Sequence, residues 1–217
     1  WERDHELTCR RILTSRFRDD PAHRAVAAFD RDTPALGQPL YAFMDFLWKD
    51  TSVPPGGLKS FRLSHLSRST GYVFARSSWE DDAVYFSFKC GPRYTSHQHL
   101  DNGHFNIFRR GELAGDGGQF YAFETDHEVN YLARSIAHST ILIHDPAEKW
   151  PQIRAYKGAI SNDGGQHHDW PHHNGAVQDA ADFLAHPELY DIARITAFED
   201  RGAYLYLAGD CSKSYRK

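Results

Sequence analysis

The hydrophobic period of the chain changes once, at Ser52-Val53-Pro54-Pro55-Gly56-Gly57. Paired prolines and glycines remove backbone donors and disfavour both helix and strand, so no regular element runs through this stretch. Before it, apolar residues recur at helical spacing. Leu7, Ile12 and Leu13 fall between charges, Asp20-Pro21 has the form of an N-cap followed by Pro at the first helical position, and residues 40–48 are the most apolar segment. Beyond it the period is two. Residues 72–76 and 83–88 are aromatic and β-branched around a polar turn at 79–82. Residues 105–109 and 113–116 flank Arg110-Gly111, residues 193–198 and 203–207 flank a turn at 199–202, and residues 139–144 read as a further strand. Short strands with no helix between them argue against a doubly wound α/β fold. They predict a mainly β chain: a short helical segment over 1–57, then an antiparallel β-sandwich over 58–217.

Charge and composition narrow the function. Lys+Arg 25 against Asp+Glu 29 gives a net charge of −4 without a basic stripe, which disfavours a nucleic-acid-binding module. No run of apolar residues is long enough to span a bilayer. Cys9, Cys90 and Cys211 are odd in number and far apart, so they make neither a disulfide framework nor a CxxC knuckle. The chain starts at Trp1, has Met44 as its one methionine, and reads as a piece of a longer protein. Its 14 histidines point to metal binding or proton transfer near neutral pH.

The sharpest cluster is Ser96-His97-Gln98-His99-Leu100-Asp101-Asn102-Gly103-His104. In an extended chain, residues two apart share a face about 7 Å apart, so His97 and His99 would present their imidazoles side by side. They could share one ion, divide ion and substrate between them, or simply pack. Asp116, in Gly115-Asp116-Gly117-Gly118, returns toward this segment after the Arg110-Gly111 hairpin; the plainer reading is a turn. His138 heads the apolar stretch and matters as the third member of a His–Asp–His set. His104, five residues after His99, is expected to face another side in a core or surface role. His167, His168, His172 and His173 read as a solvated loop rather than a metal tract, and Trp150 and Trp170 as packing residues before sugar platforms. Tyr131 and Arg134 lie close to His138 in sequence and are candidate substrate contacts, Arg134 through bidentate pairing with a carboxylate.

Two partial patterns touch the His97 segment. A Gly, five residues, then HxH is the cupin spacing from Gly91, but Gly103 and His104 stand where a cupin places its Glu ligand. The HxHxDH string of metallo-β-lactamases breaks at Asn102, and Pro92-Arg93-Tyr94-Thr95-Ser96 is no buried strand. A third pattern covers more of the chain. Gly71-Tyr72-Val73-Phe74-Ala75-Arg76-Ser77-Ser78-Trp79, Ser96-His97-Gln98-His99-Leu100-Asp101, Leu113-Ala114-Gly115-Asp116-Gly117-Gly118 and residues 134–143 follow in order, with Asn162-Asp163-Gly164-Gly165-Gln166 beyond. Over roughly residues 50–165 the chain resembles the heparinase II/III-like polysaccharide lyases.

The resemblance implies a helical toroid, whose tail would be residues 1–57, followed by a β-sandwich, with the active cleft between them. It implies a catalytic His97 in the cleft and a mainly structural Zn2+ held by His99, Asp116 and His138. The implied reaction is β-elimination on acidic, uronic-acid-containing polysaccharides such as glycosaminoglycans. A Tyr and an Asn or His would come from the toroid, and neither Tyr41 nor His23 matches them, so this piece is expected to bind metal and turn over polymer poorly. Location in the periplasm or outside the cell follows from the size of such substrates. The alternatives are a cupin-type metal enzyme and a non-catalytic carbohydrate-binding sandwich.

Overall fold

A computed structural model of the chain describes residues 2–31, 39–94, 98–123, 125–150, 158–167 and 177–215. It divides into two compact units, Trp1–Arg62 and Leu63–Lys217. No helix among the described residues is long and apolar enough to cross a membrane.

The first unit holds α1 (Glu2–Arg16), α2 (Pro21–Arg31) and α3 (Pro39–Trp48). Asp20 caps α2 by accepting from the backbone N–H of Ala22 at 2.7 Å, which satisfies a donor that the helix itself leaves unpaired. The Pro-Gly stretch belongs to this unit. Gly56 donates to the Arg24 carbonyl at 2.8 Å, and a Cβ there would lie 2.9 Å from the Ala25 nitrogen, so only glycine lets the chain lie against α2. The division between units therefore falls a few residues after the expected 57/58 boundary.

The second unit is mainly β. Strands β1 (Ser64–Ser67), β2 (Tyr72–Arg76), β3 (Tyr85–Lys89), β4 (His104–Phe108) and β5 (Glu112–Ala114) form an antiparallel meander in sequence order. The short helices α4 (Ala180–Ala185) and α5 (Pro187–Tyr190) precede an antiparallel pair, β6 (Arg194–Asp200) and β7 (Leu205–Asp210). This pair packs against the meander. Cys90 Sγ lies 3.4 Å from the Arg194 carbonyl, and a Cβ on Gly209 would meet that sulfur at 2.6 Å. Ala75, Val84 and Phe86 on one side and Leu205 and Leu207 on the other line an apolar cavity between them. Val73 on β2 is fully buried, as the inward position of a half-buried strand should be, and so is Cys90 just after β3.

Residues 139–144 depart from the expected strand. They form no β element, and Ile141, Leu142 and Ile143 are exposed. The segment is tied to a loop instead: the Ile143 N–H donates to the Gly164 carbonyl and Thr140 Oγ1 to the Asn102 carbonyl. An apolar run becomes a strand only where it pairs with a neighbouring one, and the Ile143 N–H here is bonded to the Gly164 loop.

Candidate metal centre

Three loops meet beside the start of β4, and a buried polar network fixes them. Asn102 and Gln166 exchange hydrogen bonds: the Asn102 N–H donates to Gln166 Oε1 at 2.9 Å, and Gln166 Nε2 donates to the Asn102 carbonyl at 2.5 Å. Ser135 Oγ donates to the Leu100 carbonyl at 2.6 Å and accepts from the Gln166 N–H at 2.8 Å. Gln166 and Ser135 are fully buried, and with every amide group engaged such a network specifies one loop arrangement. Backbone bonds add to it. The Leu100 N–H reaches the Ala133 carbonyl at 2.9 Å and the Gly117 N–H the Ala137 carbonyl at 2.6 Å. The segments carrying His99, Asp116 and His138 are thereby fastened to one another.

The side chains form a chain of contacts. His99 Nδ1 lies 3.2 Å from His138 Nε2, and His138 Nδ1 lies 2.5 Å from Asp116 Oδ1. Asp116 Oδ1 is also 3.2 Å from His104 Nε2. His104, Asp116 and His138 have ligand atoms all within 4.8 Å of one another, so two imidazoles and a carboxylate could meet one cation. Nitrogen and carboxylate oxygen in that ratio suit a borderline ion. His99 joins the group through His138. His97 lies outside the described residues.

His104 is the residue that the sequence reading set aside. It is buried at the first position of β4, and the hairpin register pairs Ile107 with Ala114, which carries Asp116 alongside the start of β4. Counting back from the Arg110-Gly111 turn brings Asp116 close to His104, although a register shift between Ile107 and Phe108 displaces the pairing by one residue. The remaining charges brace the loop. Lys89 and Asp101 form a buried ion pair, and the His104 N–H donates to the Asp101 carbonyl at 3.0 Å. Burial, then the neighbouring His138, pushes the His99 imidazole below its ordinary range. Tyr72, beneath the group, is pushed up to about 12 by burial and by Asp101 and Asp116.

Tyr131 sits on a π-helical turn, Glu128–Leu132, a form that often marks functional positions. Its hydroxyl lies 2.8 Å from where a Cβ on Gly117 would stand, so the phenol flanks the Asp116 loop. Arg134 is 3% exposed, and its Nη2 pairs with Asp163 Oδ1 at 2.6 Å. Its guanidinium lies 3.7 Å from the Trp150 ring centre, and the His167 ring centre is 4.5 Å from that of Trp150. Arg134 thus already holds a carboxylate partner within the fold, and Trp150 packs rather than offering an open face. His168, Trp170, His172 and His173 lie outside the described residues.

Comparison with known proteins agrees with the pattern read from the motifs. No curated protein matches the chain. The family model for the heparinase II/III-like C-terminal region matches residues 62–205, which is most of the chain and nearly all of its β unit. The protein belongs to the heparinase II/III-like family of polysaccharide lyases, through that family's C-terminal β domain.

Proposed function

We propose that this protein acts in the cleavage of uronic-acid-containing polysaccharides by β-elimination, with a structural Zn2+ supporting the loop that carries His97. The observation that carries the reading is the gathering of His99, Asp116, His138 and His104 on the domain to which the family belongs. In this reading His99, Asp116 and His138 hold the ion, whose contribution is to anchor the loop in one geometry. A buried, polar-networked loop two residues from His97 supports such a role.

β-Elimination asks three things of the protein. The charge of the substrate carboxylate must be neutralised as the anion develops at C5. A base must take the C5 proton, and an acid must protonate the glycosidic oxygen as its bond to C4 breaks. His97 takes the neutralising or base role, since an imidazole changes charge near neutral pH. Tyr131 is the substrate contact that the loop geometry favours, because it flanks the Asp116 turn. Residues 1–62 fit the closing helices of a toroid, and the substrates imply work in the periplasm or outside the cell.

Elemental analysis and a lyase assay on the same variants test this. Zinc should be retained in His97→Ala and lost in His99→Ala. In a protein active on uronate polymers, the ultraviolet absorbance of unsaturated uronate product should vanish in both. Zinc retained in His99→Ala, Asp116→Ala and His138→Ala alike would end the metal reading. Full activity of His97→Ala would end the catalytic one.

A further inference from the structure

We infer that Cys90 and Cys211 are a dithiol that closes to a disulfide, a covalent clamp between the five-stranded meander and the β6–β7 pair. The inference stands apart from the metal reading. Both thiols are free in this structure, and spacing along the chain gave no reason to pair them. The fold does. Cys90 directly follows β3, and its buried Sγ lies 3.4 Å from the Arg194 carbonyl. Arg194 is the partner of Asp210 across the β6–β7 ladder, and Cys211 is the next residue.

Two glycines make room for the sulfurs. A Cβ on Gly209 would stand 2.6 Å from Cys90 Sγ and 2.9 Å from Cys90 Cβ, closer than any side chain tolerates, so Cys90 lies directly on the β7 backbone. On the other side the Gly103 N–H donates to the Lys89 carbonyl at 2.7 Å, and a Cβ on Gly103 would stand 3.6 Å from Cys211 Sγ. The end of β3, the turn before β4 and the end of β7 thus converge, and the Cys90 and Cys211 side chains meet there as a hydrogen-bonded pair.

The two thiols differ in a way that orders the chemistry. Their shared hydrogen bond, then burial, pushes Cys90 up; the same hydrogen bond pulls Cys211 down to about 7. Cys211 is also the half-exposed member. A thiolate is the attacking species, and a thiol that ionises near ambient pH attacks best. With a small disulfide such as oxidised glutathione as oxidant, the Cys211 thiolate attacks one of its sulfurs, the glutathione S–S bond breaks, and one glutathione thiolate leaves. Cys90 then gives up its proton and attacks the Cys211 sulfur of the mixed disulfide, releasing the second glutathione thiolate. The two leaving thiolates take up the two protons that the protein thiols lose. Two protein thiols are oxidised, and one glutathione disulfide is reduced to two thiols.

The bond closes a loop from the end of β3 to the end of β7, which contains His99, Asp116 and His138. Closing so long a loop restricts the unfolded chain most. A location in the periplasm or outside the cell, as proposed above, is one where disulfides persist.

The full chain carrying Cys9→Ser, which removes the exposed third thiol, should be reduced and then incubated with oxidised glutathione. Mass spectrometry of a non-reduced digest should find a peptide pair joining Cys90 to Cys211. The unfolding temperature should rise by about 5–15 °C over the reduced chain and fall back on adding reductant. Adding Cys211→Ser should abolish both the linked pair and the rise. Both cysteines alkylated in denaturant after oxidation, glutathione retained on Cys211 with Cys90 still free, or a linked pair with an unchanged unfolding temperature each overturns the inference.

Discussion

A single backbone conformation decides how closely Tyr131 approaches the Asp116 turn. Gly118 has φ +97°, and a Cβ there would stand 2.9 Å from the Tyr131 ring. Gly118→Ala should therefore cost about 1–3 kcal/mol, from the left-handed backbone and the displaced ring together. Chemical denaturation checks this; an unchanged midpoint would mean that the turn can reshape freely. His99 makes the second residue-scale statement. Its folded-state pKa is depressed by burial and by His138, so the folded chain prefers the neutral ring. The unfolded chain takes up a proton near about 6.5, so the contribution is full above that pH and is lost as pH falls through the lower folded value. Denaturation of the metal-free chain between about pH 5 and 7.5 should show stability falling more steeply with acid in wild type than in His99→Gln. Equal slopes would remove the claim. The residue types of the cluster were legible in sequence; the burial that shifts His99 was not, because it comes from loops up to about forty positions away.

The β4–β5 hairpin is the element that matters most. Its turn places Arg110 at φ 55°, a left-handed conformation that costs a side-chain-bearing residue about 1–2 kcal/mol. Arg110→Gly should stabilise the chain by about 0.5–1 kcal/mol, since the lost Arg110–Asp82 pair is exposed and contributes little. Thermal unfolding reads this directly, and a lower melting temperature would show that the turn depends on the arginine. The hairpin itself could be read from Arg110-Gly111, and strands β2, β3, β6 and β7 from alternation, with ends displaced by up to three residues. The strand missed was β1, whose Ser64-His65-Leu66-Ser67 has too few apolar residues to announce a strand and is recruited by the edge of β2, and the short helices α4 and α5 were missed as well. Residues 139–144 failed in the opposite direction: strongly apolar, but tied to the Gly164 loop and to no strand.

At the scale of the molecule, the motifs in order gave the family, and the family match over residues 62–205 agrees with that reading. The Pro-Gly stretch at which the hydrophobic period changes lies within the first unit, Trp1–Arg62, where Gly56 is bonded to α2. Period and turn chemistry are local properties, set by the side chains and backbone freedom of a few neighbouring residues, so sequence alone determined the β character, the hairpins and the residue types capable of holding a metal. The meeting of three loops, the burial of Arg134 against Asp163 and the Ser139 contact to His104 depend on which distant groups become neighbours. Those were decided by tertiary structure, because a buried polar atom must find a partner wherever the fold brings one, and spacing along the chain carries no record of that choice.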